Sequence, residues 1–143
     1  MKKVLATAIL LVLALTLAAC GSGAPSWIMN PSSNRNELIA RFREEGWEVH
    51  TNIELGQTFV MATFTNYDLE ALEDDAVVTI YFATVIYFDT EGQARAWEIL
   101  IREEMVTGLA EIPTGVSVRY EIGTNGNIGS SWSRMRGPIR DLG

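Results

Sequence analysis

Residues 77–88, with the sequence VVTIYFATVIYF, place the strongest constraint on the fold of this chain. Every side chain except that of Ala83 is β-branched or aromatic, and such side chains favour strands because they pack well on a pleated surface. A strand that is apolar on both faces is normally covered on both, and left exposed it would tend to aggregate. The sequence therefore predicts a long central strand, or two strand pieces bent at Ala83-Thr84, inside the core.

Further strands are predicted where apolar and polar residues alternate. Residues 47–53 and 116–122 show this alternation, and a period of two is typical of a strand with one buried face. Residues 58–64 are predicted as another strand. Asn125-Gly126 is a pair that favours a type I′ hairpin turn, so we expect a returning strand over 128–132.

Two helices are predicted from their first residues and from apolar spacing. Asn34 and Thr90 are each followed three residues later by Glu or Gln, the pattern of a reciprocal helix cap. The corresponding helices are predicted over 35–45 and 90–106. One apolar face of the second helix is predicted to consist of Ala94, Trp97, Leu100, Ile101 and Met105.

The order of these elements predicts an α+β fold, because helices alternate with strands that hairpins connect. We expect an antiparallel sheet of four to five strands with the two helices packed on one face. A helix followed by a strand occurs twice, over 35–53 and 90–122, so a split β-α-β arrangement, as in ferredoxin-like folds, is also considered.

The first twenty residues have the anatomy of a secretory signal. Met1-Lys2-Lys3 is a short positively charged start, and residues 4–19 form an apolar run shorter than the roughly 20 residues that a membrane-spanning helix needs. Leu17-Ala18-Ala19-Cys20 resembles the lipobox of bacterial lipoprotein precursors. The resemblance implies that the Cys20 thiol receives a diacylglyceryl group and that a peptidase cuts before this residue.

This interpretation divides the chain into three parts. Residues 1–19 are predicted to be a cleaved signal peptide, 20–34 a lipid-anchored flexible tether, and 35–143 a single α+β domain. Trp27-Ile28-Met29 is unusual for a tether and is expected to pack on the edge of the domain or to lie in the membrane interface. Because two acyl chains hold a protein stably at a bilayer, we expect a palmitate-type anchor on the extracytoplasmic face of the cell membrane, or in the outer membrane if the host has two.

Charge and cysteine content exclude several function classes. The only lysines lie in the signal, which leaves nine arginines against eighteen acids after residue 19 and a net charge of −9. A nucleic-acid-binding protein would normally carry a basic face, so no nucleic-acid partner is expected. Cys20 is the only cysteine; once lipidated, it leaves no thiol for a disulfide, a metal site or a nucleophile.

No set of residues indicates catalysis, a cofactor or a metal. His50 lies between Glu48 and Asn52 on the polar side of a predicted strand, where an exposed polar row is favoured over a metal site. The acids at 70–75 lack the spacing of a calcium-binding loop. The sequence therefore predicts no catalytic, cofactor-binding or metal-binding residue and no enzyme activity; the alternative is a cell-envelope hydrolase with an active site of unrecognised type.

The C-terminal segment is the predicted surface for an envelope partner. Trp132, Arg134 and Arg136 lie in a stretch without acids, and interfaces favour Trp and Arg near their centres. Such a surface would suit an acidic protein or anionic headgroups. The competing interpretation is that Trp132 closes the domain's own core and the arginines pair with its own acids.

Three segments carry a further resemblance. Gly46-Trp47-Glu48-Val49 follows the first predicted helix, Tyr87-Phe88 precedes the helix that contains Ala94, and Gly126-Asn127-Ile128-Gly129 forms a late turn. At these positions, within about residues 36–131, the chain resembles a loose group of small lipoproteins of unknown function from Gram-positive and wall-less bacteria. The resemblance implies a fold and an envelope location, but no activity.

Overall fold

The computed structural model describes residues 23–54, 56–67 and 77–138. The predictions for the signal peptide at 1–19, for Cys20 and for the acid cluster at 70–75 lie outside these ranges. The helices are α1 (Ser26–Met29), α2 (Arg35–Glu44) and α3 (Glu91–Leu109), and the strands are β1 (Glu48–Glu54), β2 (Gln57–Tyr67), β3 (Val77–Tyr87), β4 (Ser117–Asn125) and β5 (Ile128–Pro138).

The five strands form one antiparallel sheet in the order β1-β2-β3-β5-β4. The predicted α+β class and the antiparallel sheet are confirmed. Because β5 is antiparallel to both of its neighbours, β3 and β4 are parallel, and α3 connects them as one split β-α-β unit. The first half is instead α2 followed by the meander β1-β2-β3, so the chain does not form the ferredoxin-like pair of such units.

Strand β3 is the central strand that the sequence predicts. It pairs along its length with β2 on one side and β5 on the other, and it is continuous through Ala83-Thr84. Ala83 lies opposite Ala62 and Trp132, and all three side chains are buried.

The helices cover opposite faces of the sheet. Successive side chains of a strand point to opposite faces. We call face A the side of the sheet that carries Ala83; residues of α1 and α2 belong to the core cluster on this side. We call face B the side that carries Ile86, where residues of α3 pack. The prediction of both helices on one face is wrong. A β3 strand that is apolar on both sides needs cover on both sides.

Close contact between α3 and face B depends on Gly129. A Cβ atom at this position would lie 2.6 Å from the Trp97 ring, so only glycine lets the indole rest on β5. Ala94, Trp97, Ile101 and Met105 point toward the sheet as predicted, whereas Leu100 is 55% exposed. The inward face therefore passes through Ile101, which is turned by about 100° from Leu100.

Local capping accounts for where the two longer helices begin. The Asn34 side chain accepts hydrogen bonds from the backbone N–H groups of Asn36 and Glu37, and Thr90 with Gln93 forms the complete capping box. Helix α3 extends to Leu109, past its predicted end at residue 106. No helix in the described part of the chain has the length and hydropathy needed to cross a membrane.

The segment predicted as a tether belongs to the folded domain from Ala24 onward. The Ala24 backbone N–H donates to Glu121 Oε2 at 3.1 Å, and the Ile28 side chain is fully buried on face A. The Trp27 ring stands edge-on to Phe42, with centroids 4.9 Å apart. Packing of Trp27-Ile28-Met29 on the domain is thereby confirmed, and the fold begins well before the predicted start at residue 35.

Candidate binding surface

The predicted C-terminal surface loses its aromatic anchor in the structure. Trp132 is 2% exposed and its ring faces Tyr81 inside the face A core. The prediction that Trp132 offers a surface is therefore wrong, because residues 128–138 form a strand with neighbours on both sides and not a loose end.

The arginines of this segment also lie on face A. Arg134 is directly opposite Arg119 of β4, and Arg136 is two positions further along β5. Arg119 and Arg134 each interact with another group of the chain. The sequence correctly indicates that Trp132 and the arginines share a face, but that face is the one on which α1 and α2 pack.

The polar row on β1 is exposed, as the sequence predicts. Glu48, His50 and Asn52 alternate along face B at the edge of the sheet, and His50 Nε2 lies 3.3 Å from Glu48 Oε1 with both side chains mostly in solvent. Across residues 23–54, 56–67 and 77–138, no three His, Cys, Asp or Glu side chains lie close enough to hold a metal ion.

Two exposed apolar side chains that the sequence did not single out lie beside this row. In register, His50 lies opposite Met61 and Glu48 lies opposite Thr63, which in turn lies opposite Phe82. Met61 and Phe82 are 40% and 41% exposed, since α3 packs mainly over β4 and β5. We call this area the open half of face B; its sheet residues are Met61, Thr63, Phe82, Thr84, Ser131 and Ser133.

Helix α3 forms one border of the open half. Arg102 Nη2 donates to the Ile122 carbonyl at 2.6 Å, which places that flank of α3 over β4. Trp97 and Leu100 lie on the opposite flank, and Trp97 reaches Phe88 beside β3. At about 100° per residue, the exposed Leu100 side chain therefore faces the open half from the side.

Charges are divided between the two faces. The described arginines of the sheet (Arg119, Arg134 and Arg136) all point to face A, whereas the described face B side chains of the sheet include no Arg or Lys. The β1 edge of face B carries Glu48 and Glu54. On α3 the described cations are already paired, Arg95 with Glu91 at 2.6 Å and Arg102 with Glu98 at 3.0 Å. The open half thus combines two exposed apolar side chains, Met61 and Phe82, with hydroxyl side chains and an acidic border.

Between α1 and α2 lies an open pocket of about 370 Å³, which has a different character. The Ser32 hydroxyl donates to Glu37 Oε2 at 2.8 Å. Arg41 lies over the Trp27 ring at 5.2 Å and pairs with Glu45. Three of the polar side chains that line this pocket, those of Ser32, Glu37 and Arg41, are therefore already partnered within the chain.

No known protein family matches the chain, and no curated protein or solved structure is significantly similar to it.

The sequence places Phe82 in the core, because the whole of residues 77–88 is predicted to be covered. One signal in the sequence could have located the open half. Only one helix is predicted after residue 88, and one helix is too narrow to cover one face of five strands.

Proposed function

We propose that this chain is an extracytoplasmic lipoprotein, anchored to a membrane through Cys20, whose domain is a small binding or accessory module for an envelope partner. Leu17-Ala18-Ala19-Cys20 supports the anchor. Because the Ala24 backbone is bound to Glu121 of β4, such an anchor would hold the domain within three residues, 21–23, of Cys20.

The exposed apolar side chains on the open half of face B carry the proposal of a binding role. Met61 and Phe82 are diagonal neighbours on adjacent strands, a geometry in which large side chains are within reach of each other. Contiguous exposed apolar side chains rimmed by polar groups mark interaction surfaces in soluble domains.

Metabolic labelling in the native host tests the anchor. Cys20→Ser should abolish incorporation of an alkyne-tagged palmitate and should leave the protein unprocessed or released from the membrane. Ser22→Ala, two residues away, is the matched control and should keep the label. Undiminished labelling of the Cys20 variant would contradict the proposal.

Crosslinking in intact cells tests the binding role separately. A photoreactive amino acid at position 82 should give a discrete adduct, whereas one at position 106, which is on the other flank of α3 and is more exposed, should not. Equal adducts at both positions, or none at position 82, would count against a binding surface on the open half.

A further inference from the structure

We infer that the open half of face B binds a cationic amphipathic helix presented by the partner. The inference rests on the proposed binding role and adds the chemistry of what is bound. It does not depend on the anchor at Cys20.

The area of face B that the described helices leave uncovered has the dimensions of a helix. Strands lie about 4.8 Å apart, so the axes of β1 and β3 are about 10 Å apart, close to the 10–12 Å diameter of an α-helix with its side chains. Helix α3 already occupies the adjacent position over β4 and β5. A second helix laid beside it would complete the helical layer on face B.

The side chains provide anchoring positions for the apolar stripe of such a helix. Met61 and Phe82 form the floor and Leu100 the wall, while small hydroxyl side chains at Thr63 and Ser133 lie around them. Helices dock in apolar grooves through residues spaced i, i+3, i+4 and i+7. Methionine adapts its shape to the partner that it meets.

The charge distribution selects a cationic partner. Glu48 and Glu54 lie along the β1 border, and Glu104 lies one turn after Leu100 on the bordering helix. With no described Arg or Lys on the sheet side chains of face B, this border repels anionic headgroups. It also disfavours a second copy of the chain, since each copy carries a net charge of −9 after residue 19. Complementary charge raises the association rate and sets specificity, and both effects weaken with salt.

Two model peptides test the predicted chemistry in solution. Residues 20–143 contain every described core residue, so this chain with Cys20→Ser is used without lipid. One 18-residue helical peptide has a leucine stripe and lysines elsewhere, and its matched counterpart has glutamate at each lysine position. We expect the lysine peptide to bind at least tenfold more tightly by fluorescence anisotropy, and less tightly in high salt.

A matched pair of variants locates the site. Phe82→Asp and Val106→Asp add the same charge at exposed apolar positions, one inside the open half and one outside it. General electrostatic attraction predicts equal effects, whereas the proposed site predicts at least a tenfold loss for Phe82→Asp and less than a twofold change for Val106→Asp. Phe82→Thr, which preserves strand propensity, should also lose binding while retaining the native circular dichroism spectrum.

Several results would overturn the inference. Equal binding of the two peptides would show an unselective apolar patch, and equal loss in the two Asp variants would show no localised site. Self-association that requires Phe82, seen by sedimentation, would identify a second copy as the occupant. Phe82-dependent binding to anionic vesicles would identify a membrane. Because this chain carries no acyl group, none of these results bears on the anchor, which the labelling of Cys20 tests.

Discussion

At the scale of single residues, Tyr87 shows how one polar contact joins two elements. Its hydroxyl, at the end of β3, donates to the Ser32 carbonyl at 2.8 Å just before α2. Burial raises the pKa of the Tyr87 phenol above 10.0, and the nearby Arg35 guanidinium offsets part of that rise. The neutral phenol is thus the form that the folded state favours.

Tyr87→Phe is expected to lower the free energy of unfolding by about 1 kcal/mol at pH 7, the usual contribution of one hydrogen bond. As the pH rises above 10, the unfolded wild-type chain loses the Tyr87 proton before the folded chain does, so the wild type loses stability that the variant cannot lose. The difference in free energy of unfolding between the wild type and Tyr87→Phe should therefore become smaller above pH 10. Urea unfolding at pH 7 and 10.5 measures it, with Tyr120→Phe as the control; a gap that widens would contradict the assignment.

At the scale of elements, α1 shows what local composition fails to reveal. Its surroundings are rich in Gly, Ser, Pro and Asn, which predicts a flexible tether. The structure instead places Ile28 in the face A core, where α1 packs on β4 and β5 while α2 packs on β1. Face A needs a second covering helix because of the order of the strands in the sheet. That order cannot be read from a local sequence pattern.

Ile28→Ala is expected to lower the free energy of unfolding by about 2–5 kcal/mol, because it opens a cavity at a fully buried position. Ile53→Ala makes the same chemical change at an exposed position of β1 and should cost less than about 0.5 kcal/mol. Denaturant titration compares the two variants. Similar small losses in both would mean that residues 24–29 are indeed a tether.

The sequence predicted the helices and strands better than it predicted which of them pack against each other. Residues 77–88 and the capping box at Thr90 were recognisable because periodicity and caps are local properties. The side on which α3 packs was not, because both faces of β3 are equally apolar. Trp132 was assigned to a surface because interfaces favour Trp and Arg and because residues 132–140 contain no acid. The alternation of Arg134, Met135 and Arg136, which continues β5 beyond residue 132, was therefore not recognised. The polar row at His50 was placed correctly, yet its apolar neighbours Met61 and Phe82 come from other strands and are adjacent only in the sheet.

At the scale of the whole molecule, the last strand that the structure describes, β5, holds the sheet together. Strand β5 lies between β3 and β4 and pairs with both over most of its length. Without β5, the edge strand β4 would have no strand partner in the described structure.

Truncation tests this dependence. A chain ending at residue 133 loses the β5 positions 134–138, five rungs of pairing with β3, and is expected to be unfolded or aggregated by circular dichroism and size-exclusion chromatography. A chain ending at residue 138 keeps all of β5 and should remain folded. A stable, monomeric chain ending at 133 would show that the C-terminal half of β5 is dispensable.

The position of β5 also determines when the domain can form. A chain that emerges N-terminus first presents β3 long before its second partner, because residues 88–138 must still follow Tyr87. At synthesis rates of roughly 5–20 residues per second, this delay lasts about 3–10 s. Throughout the delay, β2 is the only strand partner available to β3, and the other edge of a strongly apolar strand stays open to any neighbouring chain. Until β5 pairs with β3, this open edge is therefore the place where the domain is most prone to aggregate.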